Sequence, residues 1–305
     1  MSGSELITQI YELAPEAYAS ARRLFTGIPY DTAFMDAVFE ERQPGRLFVD
    51  DPAAPRGALL CRTYDYFLAG EATDALVQFL VDAPEEAGVF ALLYGYVPTN
   101  EAWLAALRTA DRLKLVEIPR RSFRLETASG GPYLRWRDDV PPHVKVEPID
   151  AALAERIDQE MDETIGFFWG SYDAFGLGGY GRAALIDGRV ASVAYANVVS
   201  AREANVSVMT VKRSRREGLA KLVCRAFLAD TASRAKDLTW DCDVANTASA
   251  ALALSLGLIE EEPFTEMGYV ERQTPDLSRG LWSPRPTSSS IVTWTRTGGD
   301  GSARR

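Results

Sequence analysis

Apolar and polar positions alternate along this chain with two periods, and the switches between them mark its elements. Ser4 to Phe25 carries Leu6, Ile10, Leu13, Ala17 and Ala21 at roughly helical spacing, which predicts one helix. Arg46 to Asp50 reads as a short strand, Asp51 to Arg56 as a turn set by two prolines, and Ala58 to Tyr64 as a second strand. A helix over Ala72 to Val81 and an apolar strand over Val89 to Tyr96 follow. Glu101 to Leu113 is amphipathic, with Leu104, Leu107 and Leu113 inward, and Leu115 to Leu125 predicts a strand interrupted by Pro119.

Ser129 to His143 breaks this pattern, and its Gly and Pro clusters predict a linker or an exposed loop. From Val144 a second alternation of helix and strand begins, so two α/β units are expected. The end of the chain changes character: Ser283 to Ser290 is rich in proline and serine, and Thr297 to Arg305 has little to bury. Ser283 onward is expected to be mostly disordered, with Ile291 to Trp294 read as a brief strand or a docking segment.

One segment combines pattern with chemistry. Asn205 to Val211 is β-branched and apolar, a strand. Arg215-Arg216-Glu217-Gly218-Leu219-Ala220 follows, and then a helix with Leu219, Leu222, Val223, Ala226 and Phe227 on one face. The first N–H groups of such a helix have no intrahelical partner, and the dipole places partial positive charge there. Gly218 removes the β-carbon that would obstruct an approaching phosphate. Leu238 to Cys242 predicts the next strand, and Asn246 and Ser249 open a second helix that ends at Leu256-Gly257-Leu258.

Charge sharpens that reading. The chain of 305 residues has 33 basic and 43 acidic side chains, a net charge of −10, which argues against general nucleic-acid binding. Around the turn the sign reverses: Lys212, Arg213, Arg215, Arg216, Lys221 and Arg225 face only Glu217, a patch suited to a polyanionic ligand. Cys61, Cys224 and Cys242 show no metal-ligand spacing and are too few for a disulfide framework, so reduced thiols and no metal are expected. The single histidine, His143, follows two prolines and is expected in solvent. Met1 to Ile10 does not read as a signal peptide, and no run of about 18 apolar residues predicts a membrane span. A cytoplasmic protein is expected; oligomeric state is not legible.

Arg215-x-x-Gly218-x-Ala220 after such a strand resembles the pyrophosphate-binding motif of the GNAT superfamily of N-acetyltransferases, and Asn246-x-x-Ser249 with a helix ending Leu256-Gly257-Leu258 resembles its usual sequel, with Leu258 in place of an aromatic residue. Phe168-Trp169-Gly170-Ser171, Gly178 to Gly181, Thr210, Trp240-Asp241-Cys242 and Gly45 to Asp50 bring the chain close to the zwittermicin-resistance type. The resemblance spans roughly residues 40 to 270. It implies an α/β (α+β) GNAT fold, a central mixed twisted sheet flanked by helices, in tandem: a degenerate GNAT-like domain over residues 1–140, an acetyl-CoA-binding domain over 141–275, and a tail over 276–305.

The resemblance also implies roles. Acetyl-CoA is the co-substrate, and its pantetheine arm is expected along Met209, Thr210 and Val211, with a backbone N–H near Val211 polarising the thioester carbonyl. The amides of Arg216, Glu217, Gly218, Leu219 and Ala220, beside Arg215, are expected to hold pyrophosphate, with Asn246 near the thiol end. The acceptor must lose a proton to attack, so a carboxylate or a water chain is required. The family's frequent strand glutamate is replaced by Asn205, which leaves Glu203, Asp241 and Asp243 as candidates; the frequent tyrosine acid is replaced by Ala253. Glu203 also reads as a strand-edge charge, and the two aspartates as helix caps or recruiters of a cationic substrate. The expected partner is a small-molecule amine, with no nucleic acid and no membrane. A non-catalytic acyl-CoA-binding module and a protein or peptide N-acetyltransferase are the alternatives.

Overall fold

A computed structural model describes residues 9–28, 31–63, 65–87, 91–94, 101–109, 113–127 and 130–271. The first half runs β1 (Tyr11–Leu13), α1 (Ala19–Arg22), α2 (Thr32–Phe39), β2 (Arg46–Val49), β3 (Gly57–Arg62), β4 (Asp65–Gly70), α3 (Asp74–Ala87), β5 (Ala91–Tyr94), α4 (Glu101–Arg108) and β6 (Leu113–Leu125). The second runs β7 (Val144–Pro148), α5 (Ala151–Met161), α6 (Ile165–Trp169), α7 (Tyr172–Gly178), β8 (Gly181–Ile186), β9 (Arg189–Val199), β10 (Glu203–Thr210), α8 (Leu219–Ser233), β11 (Asp237–Asp243), α9 (Thr247–Ser255), β12 (Ile259–Glu260) and β13 (Phe264–Glu271).

The strands form one mixed sheet in the order β1-β2-β3-β4-β5-β13-β6-β11-β10-β9-β8-β7, with β12 on β6. The last described strand inserts into the first half of the chain: β13 pairs antiparallel with both β5 and β6, and β6 pairs antiparallel with β11. β6 continues through Pro119, which stands opposite Thr265 of β13.

Two predicted elements are corrected. The chain before Phe25 is not one helix: β1 pairs antiparallel with β2, and short 3-10 turns at Pro15–Ala17 and Arg23–Phe25 flank the four-residue α1. Pro15 explains the break, because it has no N–H and its ring clashes with the carbonyl four residues earlier. Residues 1–8 of that prediction lie outside the described residues, as does everything from 272 onward, including the tail. The expected linker is a packed element instead. Pro132–Asp139 forms a 3-10 helix with Tyr133 and Trp136 buried. Arg225 of α8 donates to the Pro132 carbonyl at 2.5 Å and pairs with Asp139. Gly and Pro set the turns there, but two aromatic rings carry enough apolar area to bind the segment down.

Smaller differences follow the same logic. The amphipathic helix stops at Arg108 with Trp103, Leu104 and Leu107 buried, and Leu113 opens β6. The strand predicted over Ala58 to Tyr64 ends at Arg62, and a hairpin turn with Thr63 at φ 57° leads into β4.

The main core lies in the second half, where Leu222, Val223 and Phe227 of α8 meet Ala204 and Val206 of β10. A separate core joins α2 and β2 to β4, and Val198 of β9 belongs to it. Thus α8 covers one face of β10, and α2 from the first half covers the other. Cys61, Cys224 and Cys242 are buried unpaired thiols. No helix among the described residues is long and apolar enough to cross a membrane.

Candidate active site

The site is a wedge between two parallel strands. β10 and β11 pair only at Glu203↔Asp237, Ala204↔Leu238 and Asn205↔Thr239. β10 nevertheless stays paired with β9 as far as Thr210↔Ser192, so beyond Asn205 its other edge parts from β11. A bulge in β9 sits beside the fork: Asn205 stands opposite Val198 and Val206 opposite Ala196, which leaves Asn197 as the extra residue. Bulges increase local twist and re-aim the strand. The Asn197 carbonyl accepts from Gln43 Nε2 at 2.9 Å and Arg62 Nη2 at 3.1 Å, so the first half of the chain holds the bulge in place.

Backbone direction follows from one bond. The Val211 N–H donates to the Ala191 carbonyl at 3.0 Å, toward β9. Alternation along a strand then turns the amides of Ser207 and Met209 toward β9, and those of Val208 and Thr210 into the wedge. The Val211 N–H is thus engaged, and the N–H near Val211 that faces the wedge is that of Thr210. Met209 is also tied to β9, its carbonyl accepting from Ser192 Oγ at 3.1 Å. Thr210 keeps its N–H toward the wedge, while its carbonyl accepts from Arg215 Nε at 3.2 Å.

At the mouth of the wedge the chain turns into α8. Arg216 has φ 69° and Gly218 φ 80°, and the first helical bond runs from Leu222 N–H to the Gly218 carbonyl at 3.1 Å. The N–H groups of Arg216, Glu217, Gly218, Leu219, Ala220 and Lys221 have no hydrogen-bond partner among the described residues. Six free donors at a helix N-terminus form an anion site. A β-carbon on Gly218 would meet nothing within 4 Å, so the space beside the turn is open. The basic patch is smaller than its residue list implies: Arg225 is committed to Asp139 and Arg215 to Thr210, while Lys212, Arg216 and Lys221 make no ion pair among the described residues. Across the wedge, Asn246 caps α9, its Oδ1 accepting from Ser249 N–H at 3.1 Å.

The face of β10 and β11 away from α8 carries the ionisable groups. Glu203 is buried and both its oxygens are taken, Oε1 by Arg124 Nη2 at 2.5 Å and Oε2 by Thr32 Oγ1 at 2.7 Å. Asp241 pairs with Arg120 and accepts from Asn205 Nδ2 at 3.2 Å. Asp243 accepts from Ala245 N–H at 2.7 Å and shapes the turn into α9. Each of the three sequence candidates is therefore bonded to an arginine or a backbone turn.

Sequence reasoning missed two other sets of acids. Burial raises Asp31, and the charges of Asp241, Glu266 and Asp65 add to the effect against Arg120; its Oδ2 is buried with no hydrogen-bond partner among the described residues. Burial likewise pushes Asp65 up to about 7. Glu163, between α5 and α6, is also pushed up to about 7, chiefly by burial, and accepts from Tyr195 Oη at 2.7 Å. No spacing rule ties Glu163 to Tyr195, and the mutual influence of Asp31, Asp65 and Asp241 arises only from the tertiary fold. Cys242 is buried and its thiol is raised by burial, which suits packing rather than nucleophilic attack.

Comparison with known proteins agrees with this geometry. A family model described as GNAT acetyltransferase matches residues 22–267. The chain is 23% identical over 250 residues to the uncharacterized N-acetyltransferase YdfB of Bacillus subtilis (strain 168), covering 81% of this chain and 94% of that protein. Among solved structures, a GCN5-related N-acetyltransferase-like protein from Streptococcus suis 89/1591 superposes with a TM-score of 0.65 at 23% identity, over 84% of this chain and 99% of that one. A tandem GNAT protein from the clavulanic acid biosynthesis pathway superposes with a TM-score of 0.55 at 14% identity, over 88% and 99%.

Proposed function

This chain belongs to the GNAT acetyltransferase family and is an N-acetyltransferase, and on that premise we propose that it takes its acetyl group from acetyl-CoA and delivers it to the amine of a small molecule. The observation that carries the reading is the row of six unpartnered N–H groups from Arg216 to Lys221 at the open end of the β10–β11 wedge. Acetyl-CoA supplies an acetyl group already activated as a thioester.

The residues present fit that molecule. The amides of Arg216, Glu217, Gly218, Leu219 and Ala220 match a pyrophosphate in charge and donor count. Val208 and Thr210 offer backbone along the wedge, where an amide-bearing arm pairs as an added strand does. Met209 and Val211 hold that strand against β9. Asn246 spends its carbonyl oxygen on the α9 cap, which leaves its Nδ2 to donate toward the thiol end.

On the acceptor side a small cationic amine is favoured by the chain's net charge of −10 rather than by the fork itself, whose acids are held by Arg120 and Arg124 or raised toward the neutral form by burial. That side is closed over by the first half of the chain: Gln43 bonds to the Phe168 carbonyl at 3.4 Å, and the Arg62 guanidinium lies over the rings of Phe34 and Phe168. In this reading residues 1–140, which lack an Arg-x-x-Gly-x-Ala turn, complete the acceptor pocket rather than bind a second cofactor.

Calorimetric titration with acetyl-CoA tests the reading, with Gly218→Glu beside it. Micromolar binding by the wild type and none by the variant is the expected result, followed by turnover on a panel of small amines. No binding by the wild-type chain would sink it. Turnover of basic peptides in preference to free amines would move the acceptor class to polypeptides.

A further inference from the structure

We infer that Ser207, Tyr195 and Glu163 form a proton relay that carries the acceptor's proton out of the wedge, with Glu163 as its end point. The inference rests on the acetyl-CoA reading, since it assigns a task to the strand edge that lines that wedge.

The geometry runs in one direction. Ser207 is the second residue beyond the last β10–β11 pair and remains partly exposed there. It stands directly opposite Tyr195 in the β9–β10 ladder, so the two side chains share a face. Ser207 thus places its hydroxyl on the Tyr195 side of the sheet, and the Tyr195 hydroxyl donates to Glu163 Oε2 at 2.7 Å. Tyr195 is itself fully buried, with the Phe175 ring against it at 6.4 Å edge to face, so solvent does not bypass the chain. A hydroxyl, a phenol and a carboxylate thus link the wedge to the loop between α5 and α6.

The end point is suited to receive a proton. The groups that face Glu163 are Tyr195 from β9 and the anionic Asp158 and Asp162 at the end of α5. Asp158 is itself held by the Ile165 and Gly166 amides. Burial beside these two carboxylates brings Glu163 to about 7, where a base is effective at neutral pH. Glu203, Asp241 and Asp243 lack this freedom, because their oxygens are bonded to arginines or to a turn.

The proton balance is simple. The ammonium form of the acceptor gives one proton to Ser207 Oγ, Ser207 passes its own to Tyr195 Oη, and Tyr195 passes its own to Glu163 Oε2. The amine is left neutral, the two hydroxyls are restored, and Glu163 is protonated.

The test is a titration of the full-length protein labelled with ¹³C at the glutamate carboxyl carbon and followed by NMR, with and without saturating acetyl-CoA. Glu163→Gln, which keeps an acceptor for Tyr195, assigns the signal. Calorimetry on the same samples reports acetyl-CoA binding. The expected result is a Glu163 midpoint within about one unit of 7 that moves by at least half a unit when acetyl-CoA binds. Ser207→Ala should leave the midpoint of the free protein in place and abolish the movement. A midpoint in the ordinary glutamate range, or a movement that persists in Ser207→Ala, would overturn the relay while cofactor binding stands. Absence of binding in the wild type would overturn the acetyl-CoA reading and the relay together.

Discussion

Asn205 Nδ2 donates to Asp241 Oδ2 at 3.2 Å, bridging β10 and β11 where the two strands begin to part. The same Nδ2 reaches Thr239 Oγ1 at 3.2 Å, and Arg120 holds Asp241 from the side of β6. One amide therefore pins the closed end of the wedge without adding charge to an acidic neighbourhood. Asn205→Asp would set two carboxylates against each other there and should lower stability by about 1–3 kcal/mol at pH 8. The deficit should shrink at pH 5, where the pair shares a proton. Thermal unfolding at both pH values checks this; equal deficits would show that the bridge matters only by shape.

Gly218 separates strain from ligand contact. With φ at 80° and open space around its α-carbon, Gly218→Ala meets no steric wall in the free protein but holds a non-glycine residue in the left-handed region. The expected loss of stability is about 1–2 kcal/mol. The new methyl enters the space beside the free amides, so the affinity for acetyl-CoA should fall by more than tenfold. Calorimetry together with denaturant unfolding measures both, and a variant that loses stability but no affinity would remove phosphate from this turn.

Much of this site was legible in sequence because it is local. Strand, turn, Gly218 and the apolar face of α8 lie within some 25 consecutive residues, and chain geometry alone aims the amides of residues 216 to 221. The acceptor side was not legible, because it is assembled by contacts across the fold. Thr32 meets Glu203, and Gln43 and Arg62 meet Asn197, through packing of α2, β3 and β9. The segment 129–143 misled for a different reason: Gly and Pro announce a turn at its ends, but Tyr133 and Trp136 decide what the middle does.

Three buried acids set a pH dependence with a definite sign. Asp31, Asp65 and Glu163 all have folded pKa values raised by burial, with Asp65 and Glu163 near 7. A raised acid binds more protons in the folded state than in the unfolded state at any pH between the two values, so stability falls as pH rises from about 4 through 7. The melting temperature should therefore be higher at pH 6 than at pH 8. Asp31→Asn, at a backbone φ of 54° that asparagine tolerates, should recover on the order of 1 kcal/mol or more at pH 8 and little at pH 5. A uniform gain at both pH values would mean that repulsion among these carboxylates is not its source.

Glu203 and Glu163 can be told apart by how their loss acts on rate. Glu203 is fixed by Arg124 and Thr32 at the start of β10, so Glu203→Gln removes an ion pair that ties the first half of the chain to the second. The expected effect is on stability, by about 1–3 kcal/mol, with the same dependence of kcat/KM on pH as the wild type for any amine turned over. Glu163→Gln preserves an acceptor for Tyr195 but has no site for the proton. It should lower kcat about 10²-fold or more at pH 7 and remove the acid limb with a midpoint near 7 from the rate profile. Both profiles on one acceptor decide between them. If Glu203→Gln loses the limb and Glu163→Gln keeps it, the base lies at the start of β10 and the Tyr195–Glu163 bond is only packing.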